Sequence, residues 1–370
     1  MSPASARAER LAAAAQERGL DLLLVSNLVN VRWLTGFTGS NALAIIGGAG
    51  EEATRIVLSD FRYTTQIEEQ VPPIWDRREA TQELVGPALA EHLPPAAGDA
   101  LPRVGFEDRA ITVHQLERIR EAIGDRAELV PAGSLVEGLR ELKDAGEVSR
   151  IREAARLADI ALSEVVGQGL IGRTEAQVAL DLEVAMRRHG AEAISFPPIV
   201  ASGPHGALPH AEPRAVPIEP GVLVTIDWGA QLEGYCSDCT RTFATGEVSD
   251  DERAVYDVVL RAQETSLAAV RPGPSGREID AVARDIIAGA GYGEAFGHGL
   301  GHGVGLEIHE GPRLSRLAPE APLAEGMIVT VEPGIYLPGR FGVRIEDLVV
   351  ITAMGSDVLN TLPKDLQVVD

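Results

Sequence analysis

Two aspartates in the C-terminal half of the chain have the type and spacing that a cation site requires. Asp227 ends an apolar run that begins at Val222, and Asp238 follows eleven residues later, across a turn that contains two glycines. A buried carboxylate is costly without a cation beside it, and an antiparallel return of this length can bring both groups to one point. The alternative is that one aspartate ends a strand and the other lies in a turn, and the pair alone leaves both interpretations open.

Two glutamates repeat this pattern of a carboxylate set within an apolar segment. Glu332 follows the run Met327–Val331, and Glu346 lies fourteen residues later in another apolar, strand-like stretch. An acidic residue in such a position is rarely buried without a partner. For Glu346, an ion pair with the neighbouring Arg344 is the alternative to a metal ion.

Three of the eight histidines of the chain fall within twelve residues. His298 and His302 lie in a glycine-rich segment, and His309 follows them. A neutral imidazole is a common ligand of divalent metals, and glycine allows the backbone to approach a site closely. The glycines match neither a Walker loop nor the GxGxxG pattern, so they do not indicate phosphate binding. His309 begins no HExxH sequence, which excludes that class of zinc peptidase.

Together these side chains form an oxygen-rich ligand set. Four carboxylates and one imidazole suit Mn²⁺ or Co²⁺, with Fe²⁺ and Zn²⁺ as alternatives, better than they suit a thiolate zinc site. Bridging carboxylates hold two ions about 3.5–4 Å apart in hydrolytic centres. The sequence therefore predicts a centre for two divalent metal ions with the following ligands: Asp227, Asp238, His302, Glu332 and Glu346.

The composition restricts the partners and the location. The 370 residues are 45% hydrophobic and carry a formal net charge of −22, which argues against nucleic acid and anionic membranes. We find no signal peptide and no run of about 18 apolar residues, and two cysteines fit a reducing cytosol, so we expect a cytoplasmic protein. Lys143 and Lys364 are the only lysines, which argues against covalent lysine chemistry.

The elements that must position the predicted ligands fall into two parts. Residues 1–131 alternate helical and extended patterns, as in a small α/β domain. A helix over about 4–18 precedes the strand Leu22–Val25, and Val31–Leu34 continues the extended pattern. We predict a linker at residues 132–143.

The second part, residues 144–370, contains all five predicted ligands. A charged helix begins near Asp144, and Thr174 caps an amphipathic helix that ends at Gly190. Two further helices cover about 250–270 and 276–290. The extended patterns, which carry the four carboxylates, cover 222–229, 235–244, 327–336 and 343–352.

The order and spacing of the ligands resemble those of the pita-bread metallopeptidases. This family includes methionine aminopeptidases, Xaa-Pro aminopeptidases and Xaa-Pro dipeptidases (prolidases). Asn30–Phe37 and Ser59–Tyr63 resemble the creatinase-type N-terminal domain of the Xaa-Pro branch. The resemblance implies an α+β protein, with an α/β creatinase-like domain before a pita-bread catalytic domain. The catalytic segments that carry it are Ile226–Ala230, Ser237–Thr242, Gly297–Gly305, Thr330–Tyr336 and Gly342–Asp347.

The resemblance also implies roles for residues around the metals. Segment 200–210 supplies one more active-site histidine, His210. Glu332 resembles the general base and proton carrier of the family, while His210 and His309 would stabilise the tetrahedral intermediate and His298 would contact the substrate. The leaving proline nitrogen carries no hydrogen of its own, so it needs a delivered proton.

Two arginines complete the implied site. Arg344 resembles a residue that orients the metal-binding carboxylates. Arg313 resembles an arginine that binds the C-terminal carboxylate of the substrate in prolidases, a bidentate task that suits guanidinium. This favours cleavage of Xaa-Pro dipeptides, and the alternative is an Xaa-Pro aminopeptidase that acts on tripeptides and longer peptides.

Other members of the same fold are less consistent with the sequence. Methionine aminopeptidases do not need the N-terminal domain, and creatinase and the non-catalytic binding modules lack ligands that are all present here. The family implies a homodimer in which the N-terminal domain reaches towards the active site of the partner. Asp60 or Arg62 could contribute there or serve as loop anchors, and His205 is expected to be a loop residue.

Overall fold

The computed structural model describes residues 3–48, 53–80, 86–95 and 100–370, and for residues 86–88 it describes the backbone only. The chain divides into two compact units, residues 1–140 and 141–370. The described part of the chain contains no helix that is both long and apolar enough to span a membrane.

The first unit is built around a mixed sheet of six strands among its described residues. The strand order is β4-β3-β2-β1-β5-β6, with antiparallel pairing from β1 to β3 and parallel pairing towards both edges. The strands are β1 (Leu22–Val25), β2 (Ala42–Gly47), β3 (Thr54–Ser59), β4 (Asp76–Glu79), β5 (Arg103–Phe106) and β6 (Glu128–Pro131).

Helices accompany this sheet, as expected for an α/β domain. The segment 132–143, for which we predict a linker, includes the helix α6, whose Leu135 and Val136 are buried. The helices of the described part are α1 (Pro3–Glu17), α2 (Leu28–Thr35), α3 (Thr64–Gln70), α4 (Gly86–Glu91), α5 (Val113–Ile123) and α6 (Leu135–Arg140).

The extended structure predicted for Val31–Leu34 is wrong, because these residues lie in the middle of α2. The Asn27 side chain accepts a hydrogen bond from the Val29 N–H at 3.0 Å and caps the helix, while Gly36, with a φ of 83°, ends it. A short apolar run is compatible with a buried helix as well as a strand, so periodicity alone could not separate the two.

The second unit, described without gaps, contains four long helices that all begin with a capping box. In each case the cap side chain binds the backbone N–H three residues on, and that residue binds back to the cap. The predicted helix starts after Asp144 and Thr174 are confirmed. The helices are α7 (Ala145–Val166), α8 (Glu175–Arg188), α9 (Asp250–Ala269) and α10 (Gly276–Gly289).

Antiparallel strands form the rest of this unit. They are arranged in four sheets, with the orders β11-β10-β7, β12-β9-β8, β14-β13-β15-β18-β19 and β16-β17. The strands are β7 (Ala193–Ile194), β8 (Ile199–Ser202), β9 (Leu223–Trp228), β10 (Ala230–Leu232), β11 (Tyr235–Cys236), β12 (Cys239–Ala244), β13 (Gly301–Gly303), β14 (Glu310–Leu314), β15 (Ile328–Val331), β16 (Gly334–Leu337), β17 (Phe341–Arg344), β18 (Asp347–Thr352) and β19 (Gly355–Val358).

Three of the predicted extended segments are each two strands that belong to different sheets. The chain passes from one sheet to the next at residues 237–238, 332–333 and 345–346. These breaks contain Asp238, Glu332 and Glu346. Three of the four predicted carboxylate ligands therefore lie at the points where the chain changes sheet.

The hydrophobic core fixes the strands at these points. α9 and α10 pack on one cluster and α7 and α8 on another. Ile226, Val331 and Ile345, which directly precede Asp227, Glu332 and Glu346, are fully buried in these clusters. Full burial of such a side chain contributes roughly 1.5–3 kcal/mol, so each of these carboxylates follows an anchored residue.

Candidate metal centre

Three buried or partly buried carboxylates converge in the second unit. Asp227, Asp238 and Glu346 each present one oxygen, and these oxygens lie within 4.8 Å of one another. Asp227 is on β9, Asp238 lies between β11 and β12, and Glu346 lies between β17 and β18. The strand pairing thus unites residues that are more than one hundred positions apart in sequence.

Glu332 and His302 lie beside this cluster. The β15–β18 register ends with the pair Val331 and Asp347, so Glu332 directly follows β15 at the end of the ladder where Glu346 directly precedes β18. His302 Nε2 is 3.3 Å from Glu332 Oε1, and 3.6 Å from the nearest oxygen of Asp238. All five predicted ligands therefore meet at one place, although their role as ligands stays a prediction.

Burial and mutual repulsion make the cluster electrostatically unfavourable without a cation. Burial, followed by the charges of the neighbouring carboxylates, raises the pKa of Asp238 and of Glu346 well above the usual range. Burial also raises the pKa of Glu332 and lowers that of His302, which favours the neutral imidazole that binds metal. A pair of divalent ions would compensate this charge.

In two of the carboxylates, one oxygen accepts a hydrogen bond and the other has no hydrogen-bond partner among the described residues. Asp227 Oδ2 accepts a hydrogen bond from Arg344 Nη2 at 2.8 Å, and Glu346 Oε2 accepts one from Thr240 Oγ1 at 2.7 Å. Asp227 Oδ1 and Glu346 Oε1 are buried and have no hydrogen-bond partner among the described residues. Buried acceptors are rarely left in this state, so the two oxygens fit the donor set of a metal centre.

Arg344 connects the cluster to its surroundings. Besides Asp227, its guanidinium donates to Thr240 Oγ1 at 2.9 Å, Tyr336 Oη at 2.8 Å and the Pro209 carbonyl at 3.2 Å. Within the described chain, the ion pair of Arg344 is with Asp227. The alternative of a Glu346–Arg344 ion pair, which the sequence left open, is therefore not the arrangement observed.

His298 is connected to Arg344 through the hydroxyl of Tyr336. Its Nε2 is 3.0 Å from Tyr336 Oη, and its Nδ1 is 2.8 Å from the Gly299 carbonyl, so both ring nitrogens are engaged. Since Arg344 donates to Tyr336, we assign the tyrosine hydroxyl as the donor to His298 Nε2. Burial lowers the pKa of His298, which keeps the ring neutral in this network.

The remaining predicted residues form the exposed rim of the site. The His309 ring lies 4.4 Å from that of His302, measured between centroids. Desolvation and the nearby His302, His210 and Arg313 lower the pKa of His309. Arg313 is exposed and faces His302 across the β13–β14 ladder, while His210 is exposed beside Pro209.

Three residues whose roles the sequence left open have defined contacts. Arg62 binds Asp60 through Nε and Nη2, each at 2.8 Å, and this side-chain contact lowers the pKa of Asp60. Both residues lie in the first unit, and a contribution to the site of a partner stays a prediction. His205 in the second unit lies 3.0 Å from a carboxylate oxygen of Glu175.

Three polar residues of the site escaped sequence reasoning. Thr240 binds Glu346, Thr330 Oγ1 donates to Glu332 Oε1 at 3.0 Å, and Tyr336 bridges His298 and Arg344. The sequence signal that could have identified these residues was a hydroxyl side chain within an otherwise apolar strand. It could not be interpreted without the strand register, which places Thr240 directly opposite Asp227.

The fold and the site define a two-domain α+β protein with a carboxylate-rich centre in its C-terminal unit. Residues 149–353 match the model of metallopeptidase family M24, and residues 7–142 match that of the creatinase/prolidase N-terminal domain. The chain therefore belongs to metallopeptidase family M24. This confirms the predicted pita-bread catalytic domain and creatinase-like N-terminal domain, and it implies divalent metal ions as cofactors.

Similar proteins cover almost the whole chain. An uncharacterized peptidase, YqhT, of Bacillus subtilis is 42% identical over 94% of this chain and 96% of its own length. The structure of an Xaa-Pro dipeptidase from Bacillus anthracis has 38% identity and a TM-score of 0.91, covering 99% of both chains. That of an X-Pro aminopeptidase from Thermotoga maritima has 37% identity and a TM-score of 0.85, covering 96% of this chain and 99% of its own.

Proposed function

We propose that this protein hydrolyses the Xaa-Pro bond of dipeptides with two divalent metal ions. The observation that carries the proposal is the convergence of four carboxylates and His302 in a chain of the M24 family, with free buried oxygens on Asp227 and Glu346. Similarity to an Xaa-Pro dipeptidase over 99% of the chain supports the substrate class.

The proposed ligands are the five residues identified from the sequence. Their oxygen-rich donor set favours Mn²⁺ or Co²⁺ over Zn²⁺ or Fe²⁺. When bound, the ions supply Lewis acidity that activates water and polarises the scissile carbonyl. The ligands are Asp227, Asp238, His302, Glu332 and Glu346.

Glu332 is the proposed proton carrier. The backbone N–H of His302 donates to Thr330 Oγ1 at 3.0 Å, and the Thr330 hydroxyl in turn donates to Glu332 Oε1 at 3.0 Å. This directed chain holds one oxygen of Glu332 and leaves the other to take a proton from water and deliver it to the proline nitrogen. Such a transfer needs a positioned acid–base group with a raised pKa, and burial raises the pKa of Glu332.

The histidines are proposed to act on the substrate rather than on the metals. His210 and His309 lie on the exposed side of the cluster, where an N–H can donate to the developing oxyanion. His298 is held by Tyr336 and Gly299. Its ring can therefore form one wall of the substrate pocket at a fixed position.

Arg313 is the proposed determinant of dipeptide length. It is exposed on β14 and faces His302 across the ladder, so its guanidinium can reach a carboxylate beside the centre. A dipeptide places its C-terminal carboxylate one residue from the scissile bond. An aminopeptidase that acts on tripeptides and longer peptides is the second candidate, because similarity to the Thermotoga enzyme is nearly as high.

Location and assembly are further proposals. Both cysteines, Cys236 and Cys239, are buried free thiols, which suits the reducing cytoplasm. The resemblance to the Xaa-Pro branch suggests a homodimer, and sedimentation equilibrium of the native protein tests it. A mass of one chain across the measured concentrations would contradict the dimer.

Substrate length tests the proposed function. We would measure kcat/KM for Ala-Pro, Met-Pro and Ala-Pro-Ala with Mn²⁺, Co²⁺ and Zn²⁺ in turn. A preference for the dipeptides is expected, whereas a clear preference for Ala-Pro-Ala would establish the aminopeptidase. No cleavage of any Xaa-Pro peptide, with no metal retained after dialysis, would support a non-catalytic binding module.

A further inference from the structure

The loop that carries His210 is tied to a single buried carboxylate. Glu175, the first residue of α8, is completely buried and accepts six hydrogen bonds, three on each oxygen. The donors belong to Ser202, His205 and Arg214, which lie before, within and after the segment 203–213. One side chain therefore fixes both ends and the first turn of this loop.

The individual contacts are short and well distributed. The Ser202 N–H and hydroxyl donate to Glu175 Oε1 at 2.9 and 2.7 Å. Arg214 contributes Nη2 at 2.9 Å to the same oxygen, and its backbone N–H and Nε bind Oε2 at 3.1 and 2.9 Å. His205 Nδ1 completes the set at 3.0 Å from Oε2. Charge-assisted, bidentate contacts of this kind are about twice as strong as neutral hydrogen bonds.

The backbone of α8 reinforces the same attachment. The Glu175 N–H donates to the Val216 carbonyl and the Ala176 N–H to the Arg214 carbonyl, at 3.2 and 3.0 Å. N–H groups in the first turn of a helix have no partner within the helix. The exit of the loop supplies that partner here, which fixes the loop against the helix end.

The opposite side of the loop rests on the metal centre. Arg344, which binds the proposed ligand Asp227, also donates to the carbonyl of Pro209, the residue before His210. A Cβ atom at Gly342 would lie 1.9 Å from the Gly206 carbonyl oxygen, so the loop backbone lies directly against β17. His210 itself is exposed, although the groups that surround its loop are buried.

We propose that Glu175 is a positioning residue that holds His210 over the metal centre. The inference rests on the proposed function, because it assigns His210 a contact with the reacting carbonyl. Helix formation does not explain Glu175, since Thr174 already caps α8 by accepting from the Gln177 N–H at 3.1 Å. All six hydrogen bonds of the Glu175 carboxylate are instead made with residues of this loop and its two ends.

Glu175 is ionised under all ordinary assay conditions. Burial alone would raise its pKa, but the hydrogen bonds from Arg214 and Ser202 lower it to about 2. The Glu175 carboxylate, which together with its donors Ser202, His205 and Arg214 we call the clamp, therefore keeps its charge near neutral pH.

A double-mutant cycle between Glu175 and His210 tests the inference. Glu175→Gln keeps the shape of the side chain and removes its charge, and we expect kcat to fall about 10- to 100-fold with bound metal unchanged. In the His210→Ala background, the same substitution should have little further effect, because the loop then carries no group to position. Equal losses in both backgrounds, or an unchanged kcat in Glu175→Gln alone, would overturn the inference.

Two further variants separate positioning from folding. Glu183→Gln, on the same helix, removes an exposed pair with Arg187 at 3.2 Å and should leave kcat unchanged. Arg214→Lys keeps the charge, removes the bidentate contact at a side chain that is 44% exposed, and should reduce kcat less than Glu175→Gln. If Arg214→Lys folds, binds metal and retains full kcat while Glu175→Gln fails to fold, the clamp is only structural.

Hydrogen–deuterium exchange tests the clamp without any substrate. Glu175→Gln should exchange faster than the native protein in residues 203–213, with unchanged exchange in α9. Unchanged exchange in the loop would overturn the inference even if Ala-Pro proves to be a substrate. Faster exchange in a protein that cleaves no Xaa-Pro peptide would preserve the clamp and reject the proposed function.

Discussion

Arg344 and Asp227 are joined by a 2.8 Å ion pair that occupies one oxygen of the aspartate and leaves Oδ1 free and buried. The same guanidinium donates to Thr240 Oγ1, whose hydroxyl donates to Glu346 Oε2. The pair therefore orients two proposed metal ligands at once. The strands that carry the two residues, β17 and β9, are held by their buried neighbours. A conservative substitution of Arg344 is therefore expected to reduce metal affinity more than it reduces the stability of the fold.

Arg344→Lys should weaken metal binding. Lysine keeps the charge but lacks the planar set of donors that reaches Asp227, Thr240 and Tyr336 together, so we expect a loss in metal affinity of about 10- to 100-fold. Titration of the metal-free protein with Mn²⁺ by calorimetry would measure it. The matched control is Arg340→Lys, on the turn before β17, which alters the exposed ion pair between Arg340 and Asp251 of α9. This variant should bind metal normally. Equal affinities in all three proteins would contradict the orienting role.

Metal should stabilise the protein more as the pH rises. Burial and the neighbouring charges raise the pKa of Asp238 and Glu346 in the folded, metal-free protein, and burial raises that of Glu332. A raised folded pKa means that stability is full below the unfolded value, near 4 for these carboxylates, and is lost as the pH rises through the folded value. Metal ions replace those protons.

Thermal unfolding at pH 5.5 and pH 8 would measure this effect. The difference in Tm between the Mn²⁺-loaded and the metal-free protein should be larger at pH 8. A difference that is constant with pH would show that proton release from these carboxylates does not accompany binding.

Arg313→Gln should impair the cleavage of substrates with a free carboxylate. The loss of a charge-assisted contact worth about 1.5–3 kcal/mol corresponds to a decrease in kcat/KM for Ala-Pro of about 10- to 100-fold. Ala-Pro amide, which has no carboxylate, should be cleaved equally well by the native protein and the variant. Arg316→Gln, at an exposed position three residues on, is the control. Parallel losses on both substrates would reject carboxylate recognition by Arg313.

Gly342→Ala should destabilise the second unit. The added Cβ would lie 1.9 Å from the backbone oxygen of Gly206, which cannot move independently of its loop. Overpacking of this kind lowers the free energy of unfolding by about 1–3 kcal/mol. Gly355→Ala, where a Cβ meets no atom within 4 Å, should change stability little, and urea unfolding of both variants would compare them. A stable Gly342→Ala protein would mean that the loop shifts freely.

Local sequence signals were sufficient for the long helices. The capping residues Asp144 and Thr174 stand next to the helices they start, so their role depends on neighbours within four positions. The ordered spacing of the carboxylates was also informative, because Asp227, Glu332 and Glu346 each follow or interrupt an apolar segment. The helix at Val31–Leu34 was missed, since eight residues carry too little periodicity to exclude a strand.

The contacts around the ligands could not be predicted for a different reason. Arg344 and Asp227 are 117 residues apart, and Thr240 and Glu346 are 106 apart. Which side chains meet over such distances depends on strand register, and a shift by one residue would turn every side chain to the other face. Glu175 illustrates the same limit, because an acidic residue in the first turn of a helix is ordinary in sequence.

Because three of the proposed ligands lie between strands, the residues that form the sheets are different from the residues proposed to bind metal. Asp238, Glu332 and Glu346 belong to no strand ladder, and the backbone bonds at the two glutamates use N–H groups that any residue except proline supplies. We therefore expect the sheets to stay intact when these side chains are exchanged. A protein with this fold can lose its metal ligands during evolution and keep a folded surface that binds peptides. In protein design, other donor side chains can be introduced at these three positions without a change in the backbone.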